Sequence, residues 1–100
     1  MAHASIADLR TYYRALGDET RLRIVQILAA EGERSLTDIV QRLRISQPLV
    51  SWHMRRLRRA GIITTVRRGR EVRCTIDRER FGQLHERGYR TLMNPARSER

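Results

Sequence analysis

Residues 44–60 read RISQPLVSWHMRRLRRA, and the periodicity of this stretch decides the fold. Ser46 can cap a helix through its hydroxyl, and Pro48 fits a first turn, where its missing N–H has no helical partner to lose. Val50, Met54 and Leu57 recur at i, i+4 and i+7, and Ala60 follows three further on, which makes one apolar stripe. Gly61 supplies a left-handed stop. The opposite face carries Gln47, Ser51, Arg55 and Arg58: an amide, a hydroxyl and two guanidinium forks. Those groups pair with base edges and phosphates. The spacing predicts a DNA-reading helix over 46–60, and a solvated surface helix is the plainer alternative.

The segments on either side favour the first reading. Just upstream, Ser35-Leu36-Thr37-Asp38 matches a capping box, and Leu36, Ile39, Val40 and Leu43 repeat at i, i+3, i+4, i+7. Arg44-Ile45 then connects to Ser46, so two short helices joined by about three residues form a helix-turn-helix. Downstream, Ile62–Val66 and Val72–Ile76 are rich in β-branched residues, with Arg67-Arg68-Gly69-Arg70 between them as a basic turn. This predicts a hairpin, a wing spanning 64–76, whose Arg67, Arg68 and Arg70 suit phosphates or a minor groove.

Charge distribution agrees. The chain of 100 residues carries 21 basic and 11 acidic side chains for a net +10, and every base is arginine. From Ile39 to Arg70 there are nine arginines and no Asp or Glu, so the charge is segregated into a one-signed surface that attracts a polyanion.

Helices complete the domain at both ends. Ser5-Ile6-Ala7-Asp8 is a capping-box match, and Ile6, Leu9, Tyr13 and Leu16 follow at helical spacing up to Gly17. Asp18 caps a second helix with a stripe of Leu22, Val25 and Leu28, widened by Ile24 and Ile27 and stopped by Gly32. Asp77 caps a last helix whose face is Phe81, Leu84, His85, Gly88 and Leu92, ended by Pro95. The fold expected is mainly α with a β-hairpin wing, in the order α-α-α-α-β-β-α, as one domain over 1–94 with a flexible tail at 95–100. Apolar stripes on the terminal helices want a partner, so Ile6, Leu9, Tyr13, Phe81, Leu84, His85, Gly88 and Leu92 are expected to pair with a second copy. The single Cys74 permits no intrachain disulfide, and no signal or membrane-spanning run is legible, so a cytoplasmic protein is expected.

The runs ALGDETRLRIVQIL, SLTDIVQRLRISQPLVSWHMRRLRRAGII and RRGREVRCTI resemble the ArsR/SmtB winged helix-turn-helix repressors over roughly residues 9–92. The resemblance implies a homodimeric regulator that binds palindromic double-stranded DNA and leaves it when an effector binds. It also implies that Gln47, Ser51 and His53 lie on the DNA-contacting helix. Trp52 stands where the family pattern often has a smaller or polar residue; its ring can pack on a sugar or thymine methyl, or cover the gap between helix and wing. The division of labour expected is Gln47 and Ser51 on bases, Arg55 on either, and Arg58 with the wing arginines on phosphates. Ser46 and Pro48 belong to the same helix entry.

The resemblance departs at the family's metal positions. One Cys-x-Cys pair aligns with Ser35 and Thr37. A second set aligns with Arg78, Arg80, Thr91 and Asn94, or with Asp77, Glu79, Arg90 and Met93 one residue away. Neither supplies three good ligands, so no metal or other cofactor is expected, and whether an unknown small effector is a partner stays open. Cys74 beside the wing arginines keeps a thiol sensor open, although a buried inert thiol is the simpler reading. His85 could face its own copy across a dimer and titrate near neutrality. Two further readings stay open: a non-standard metal sensor of the same fold, and a winged-helix module that binds protein or RNA. No catalytic constellation is present, which argues against an enzyme.

Overall fold

The computed structural model describes residues 5–94. The helices expected from periodicity form at their caps. α1 spans Ile6–Leu16 behind a capping box in which Ser5 Oγ accepts from Asp8 N at 3.0 Å and Asp8 Oδ2 accepts from Ser5 N at 3.3 Å. α2 spans Glu19–Glu31, with the Asp18 carboxylate accepting from Arg21 N at 3.0 Å. α3 spans Leu36–Leu43 under Ser35, and α4 spans Gln47–Arg59 under Ser46, whose Oγ accepts from Leu49 N at 3.3 Å. α5 spans Arg78–Met93 behind Asp77.

Two backbone devices set the angle of α4. At its entry Arg44 takes φ +58°, a left-handed turn that glycine more commonly fills, and its N–H closes on the Val40 carbonyl at 2.9 Å. At its exit Gly61 (φ +83°) donates to Arg58 O at 3.0 Å and Ile62 to Leu57 O at 3.0 Å, which is a Schellman stop. The chain therefore leaves α4 directly into the sheet.

The wing is β2 (Ile63–Arg68) paired antiparallel with β3 (Glu71–Ile76), in a register that runs from Ile63↔Ile76 to Arg68↔Glu71. The strands extend two residues further than the basic turn expected at 67–70. Gly69-Arg70 alone form the loop, with Gly69 at φ +62° in the first central position, as a II′ hairpin requires. A third strand, β1 (Arg34–Ser35), pairs with β3 and gives the sheet order β1-β3-β2. Two residues leave no periodic trace in a sequence, so periodicity does not foresee β1; it ties the start of α3 to the base of the wing.

The core is built from Tyr12 and Ala15 of α1, Ile24 and Leu28 of α2, Ile39 of α3, Val50, Met54 and Leu57 of α4, and Ile62, Ile63, Cys74 and Ile76 at the sheet base. Two expected stripes are rotated. In α1 the buried positions are Leu9, Tyr12 and Ala15, leaving Ile6 and Tyr13 outside; in α2 they are Arg21, Ile24 and Leu28, and Leu22 is exposed. Packing chose the face presented by Tyr12, whose ring meets Phe81 of α5 at 6.3 Å, over the neighbouring row that reads equally well in one dimension. No helix among the described residues is long and apolar enough to cross a membrane. The tail expected at 95–100 lies outside the described residues.

Candidate nucleic-acid interface

α4 is amphipathic in the sense its spacing predicts. Val50, Met54 and Leu57 are buried, while Gln47, Arg55 and Arg58 are exposed and Ser51 is half-buried. The stripe anchors the helix, so the amide and guanidinium groups stand clear of the domain. Ser46 is engaged in its cap, and Pro48 sits in the exposed first turn. Arg58 Nη1 donates to Thr65 Oγ1 of β2 at 3.1 Å, a direct tie between the reading helix and the wing. Arg67, Arg68 and Arg70 are all exposed at the wing's end, whereas its base is closed by buried Ile63, Cys74 and Ile76. Arg73 is held back from this group by Glu33 at 2.9 Å and Glu71 at 3.0 Å. A hydrogen bond from Arg73 in turn keeps the Glu33 carboxyl below its usual range.

His53 faces the other way. It is buried against α2, where its Nδ1 lies 2.9 Å from Arg21 Nη1 and 3.9 Å from Asp18 Oδ2. A guanidinium only donates, so Nδ1 is the acceptor and the imidazole is neutral with its proton on Nε2. Burial lowers the His53 pKa below its ordinary value; Arg21 pushes in the same direction and Asp18 opposes. The DNA-contacting role expected for His53 is therefore corrected: its position, 100° per residue around the helix, points it into the domain, where it positions α4.

Trp52 also departs from one of its two expected places. It is 39% exposed and leans away from the wing, with the Arg56 guanidinium 4.7 Å and the Arg21 guanidinium 5.5 Å from its ring. The gap between helix and wing is lined instead by Ser51, Arg55, Arg58 and Thr65. Helical periodicity does not pick out Arg56, because it lies beyond the face defined by Gln47 and Arg58; the adjacent Trp-x-x-x-Arg spacing is its only signal.

The expected dimer residues divide. Ile6 (50%), Tyr13 (40%) and Leu92 (50%) are open to solvent, as is His85, whose Nδ1 is 3.4 Å from Tyr12 Oη. Tyr89 and Met93, outside the expected set, join them on the exposed side of α5. Leu9 and Gly88 are instead consumed within the chain: a Cβ on Gly88 would stand 2.7 Å from Tyr13 Oη and 3.4 Å from Leu9 Cδ2, so glycine lets α1 and α5 meet. Phe81 and Leu84 are half-buried, packed against the core on one side.

Cys74 is fully buried, and burial pushes its thiol up to about 11, despite Arg73 nearby. Ser35, at one family metal position, uses its hydroxyl to cap α3. Arg78, at another, donates to the Ala29 carbonyl at 2.7 Å.

Comparison with known proteins places this geometry. A family model described as a helix-turn-helix domain matches residues 16–66. The chain is 30% identical over 89 residues to a cadmium resistance transcriptional regulatory protein CadC homolog of Staphylococcus aureus, covering 89% of this chain and 74% of that protein. It is 44% identical over 59 residues to the HTH-type transcriptional repressor SmtB of Mycobacterium tuberculosis, covering 59% of this chain and 43% of that one. Among solved structures, an ArsR-like transcriptional regulator from Rhodococcus sp. RHA1 superposes with a TM-score of 0.74 at 26% identity, covering 91% of this chain and 85% of that chain.

Proposed function

This chain belongs to the ArsR/SmtB family of DNA-binding helix-turn-helix transcriptional regulators, and from that premise we propose that it works as a homodimeric repressor of a palindromic operator. Gln47 and Ser51 read base edges, Arg55 serves bases or phosphates, and Arg58 with Arg67, Arg68 and Arg70 holds the backbone. The observation that carries this reading is the reading helix itself: its apolar stripe is buried, its polar face is free, and Arg58 joins that face to a basic wing. Two copies related by a dyad would meet half-sites about one helical turn, ~34 Å, apart. The exposed apolar set of Ile6, Tyr13, Tyr89, Leu92 and Met93, on the two terminal helices, supports self-pairing.

Several relatives carry metal or metalloid resistance in their names. At the positions aligned with the family's metal ligands this chain has hydroxyls, guanidinium groups and an amide in one register and Asp77, Glu79, Arg90 and Met93 in the other, and neither register supplies three good ligands, so we place no metal there. A thiol trigger at Cys74 is disfavoured by full burial and a raised pKa.

A single binding series tests the division of labour. Gln47→Ala is expected to cost about 1–3 kcal/mol at one base position and relax preference there, and Arg68→Ala is expected to weaken all duplexes alike and flatten the salt slope by about one. Binding to an upstream palindrome is measured against random duplex and single strand at two salt concentrations. A wild-type protein that is monomeric and indifferent to every duplex overturns the reading.

A further inference from the structure

We propose that the cleft between α1 and α4 is a second phosphate-binding wall, in which Arg10, Arg14, Arg56 and Arg59 hold the DNA backbone on the side of the reading helix away from the wing. The cleft, about 160 Å³, is lined by these four guanidinium groups with Thr11 and Ala15 as its small-residue floor, and no carboxylate lines it. Among the described residues none of the four side chains makes an ion pair or hydrogen bond; Arg56 only stacks on Trp52. Elsewhere the arginines divide: Arg44, Arg55, Arg67, Arg68, Arg70, Arg80 and Arg87 are likewise without a side-chain partner among the described residues, but outside this cleft many others are engaged. Arg23, Arg34, Arg42, Arg73 and Arg90 pair with carboxylates, and Arg21 and Arg78 are bonded to backbone carbonyls.

Four like charges gathered without a counter-charge repel one another, which is a cost the fold carries unless an anion neutralises them. Their arrangement selects the anion. Arg10 and Arg14 lie one turn apart on α1, and Arg56 and Arg59 nearly one turn apart on α4, so the charges form two facing ridges along an open cleft, which suits a linear polyanion. A helix with its side chains is about 10–12 Å across, close to the ~12 Å width of a major groove, so a docked α4 has a sugar-phosphate backbone on each side. The wing and Arg58 serve one of them. The α1–α4 cleft lies on the other flank, beside Trp52 and Arg56, and small side chains at Thr11 and Ala15 leave room for a backbone to approach. This wall rests on the proposal that α4 reads duplex DNA.

The test compares wild type, Arg10→Gln/Arg14→Gln and Arg68→Ala on the operator duplex between about 50 and 200 mM salt, with Arg59→Gln as a second cleft variant. Each phosphate contact contributes about 0.9 to the slope of log affinity against log salt. The double variant is expected to flatten that slope by about two, so its affinity falls about twelvefold less over that salt range than the wild type's, and the ranking of operator base substitutions stays the same. Thermal midpoints within a few degrees of wild type establish that the exposed substitutions leave the fold intact; should the double variant not fold, Arg59→Gln carries the test with an expected flattening of about one. An unchanged slope in the cleft variants, while Arg68→Ala still flattens it, overturns the second wall and leaves the reading helix standing. A changed base ranking also overturns it, because backbone contacts carry no sequence. A wild type without salt-dependent duplex binding overturns both.

Discussion

Arg21→Met is expected to destabilise the protein by about 2–4 kcal/mol, although the substitution puts an apolar residue into a largely apolar place. Arg21 is only 8% exposed, and its fork makes three bonds: Nε to Ala15 O at 2.7 Å, Nη2 to Arg14 O at 3.0 Å, and Nη1 to His53 Nδ1 at 2.9 Å. The two carbonyls belong to the last turn of α1; Arg14 O also accepts from Gly17 N at 3.2 Å, whereas Ala15 O relies on Arg21, which is thus the C-terminal cap of a neighbouring helix as well as its charge complement. Removing it strands buried acceptors, each costing about 1–3 kcal/mol, offset in part by release from holding a cation in a dry site. Against a total stability of about 5–15 kcal/mol, that loss is large and is read directly from denaturant or thermal unfolding. Arg21→Lys is expected to recover little, because one ammonium cannot reach three acceptors in a fixed fork. A loss under about 0.5 kcal/mol for Arg21→Met would mean that the carbonyls and His53 find other partners.

The same site sets a pH dependence. His53 is held neutral, with a pKa below its ordinary 6.5. The unfolded chain therefore binds a proton that the folded chain refuses, so this contribution is fully present above about pH 6.5 and is lost as pH falls below it. Acidification places an N–H where Arg21 already points one, and the contact that seats α4 on α2 is the one that weakens. Unfolding measured from about pH 7.5 down to about 5.5 checks the sign: stability that rises with acidification over that range contradicts a buried neutral His53.

Leu57→Ala and Arg55→Ala, two positions apart on one helix, are expected to separate stability from function. Leu57 is fully buried in the core, and its carbonyl receives Ile62 N–H in the stop that turns α4 into the sheet. Truncating it removes the transfer free energy of the lost atoms and leaves a cavity, for about 2–5 kcal/mol. Arg55 is exposed and bonded to nothing among the described residues, so its loss is expected to leave stability within about ±0.5 kcal/mol while weakening duplex binding. Should Arg55→Ala unfold the protein and Leu57→Ala spare it, the assignment of inner and outer faces on α4 is reversed.

The helix-turn-helix was legible because its periodicity has few solutions. Val50, Met54 and Leu57 admit one buried face, and Ser35, Ser46 and Gly61 sit where caps and a stop must be. Where two adjacent rows are both apolar, one dimension cannot choose between them: α1 offered Tyr13 and buried Tyr12, and α2 offered Leu22 and buried Arg21 in a neighbouring row. An arginine in the core is legible only once its acceptors are in place, and those acceptors come from another helix.

By itself, then, the order of residues determined the caps, the stops, the inner face of α4, the basic wing and the acid-free charge distribution, since each depends on contacts within a few positions along the chain. Tertiary structure alone decided which arginines are neutralised and which are left unpaired, that His53 is a buried acceptor, and that Leu9 and Gly88 close on each other. The reason is physical: partners far apart in sequence must first be brought together before a charge, a proton or a missing side chain has anything to act on.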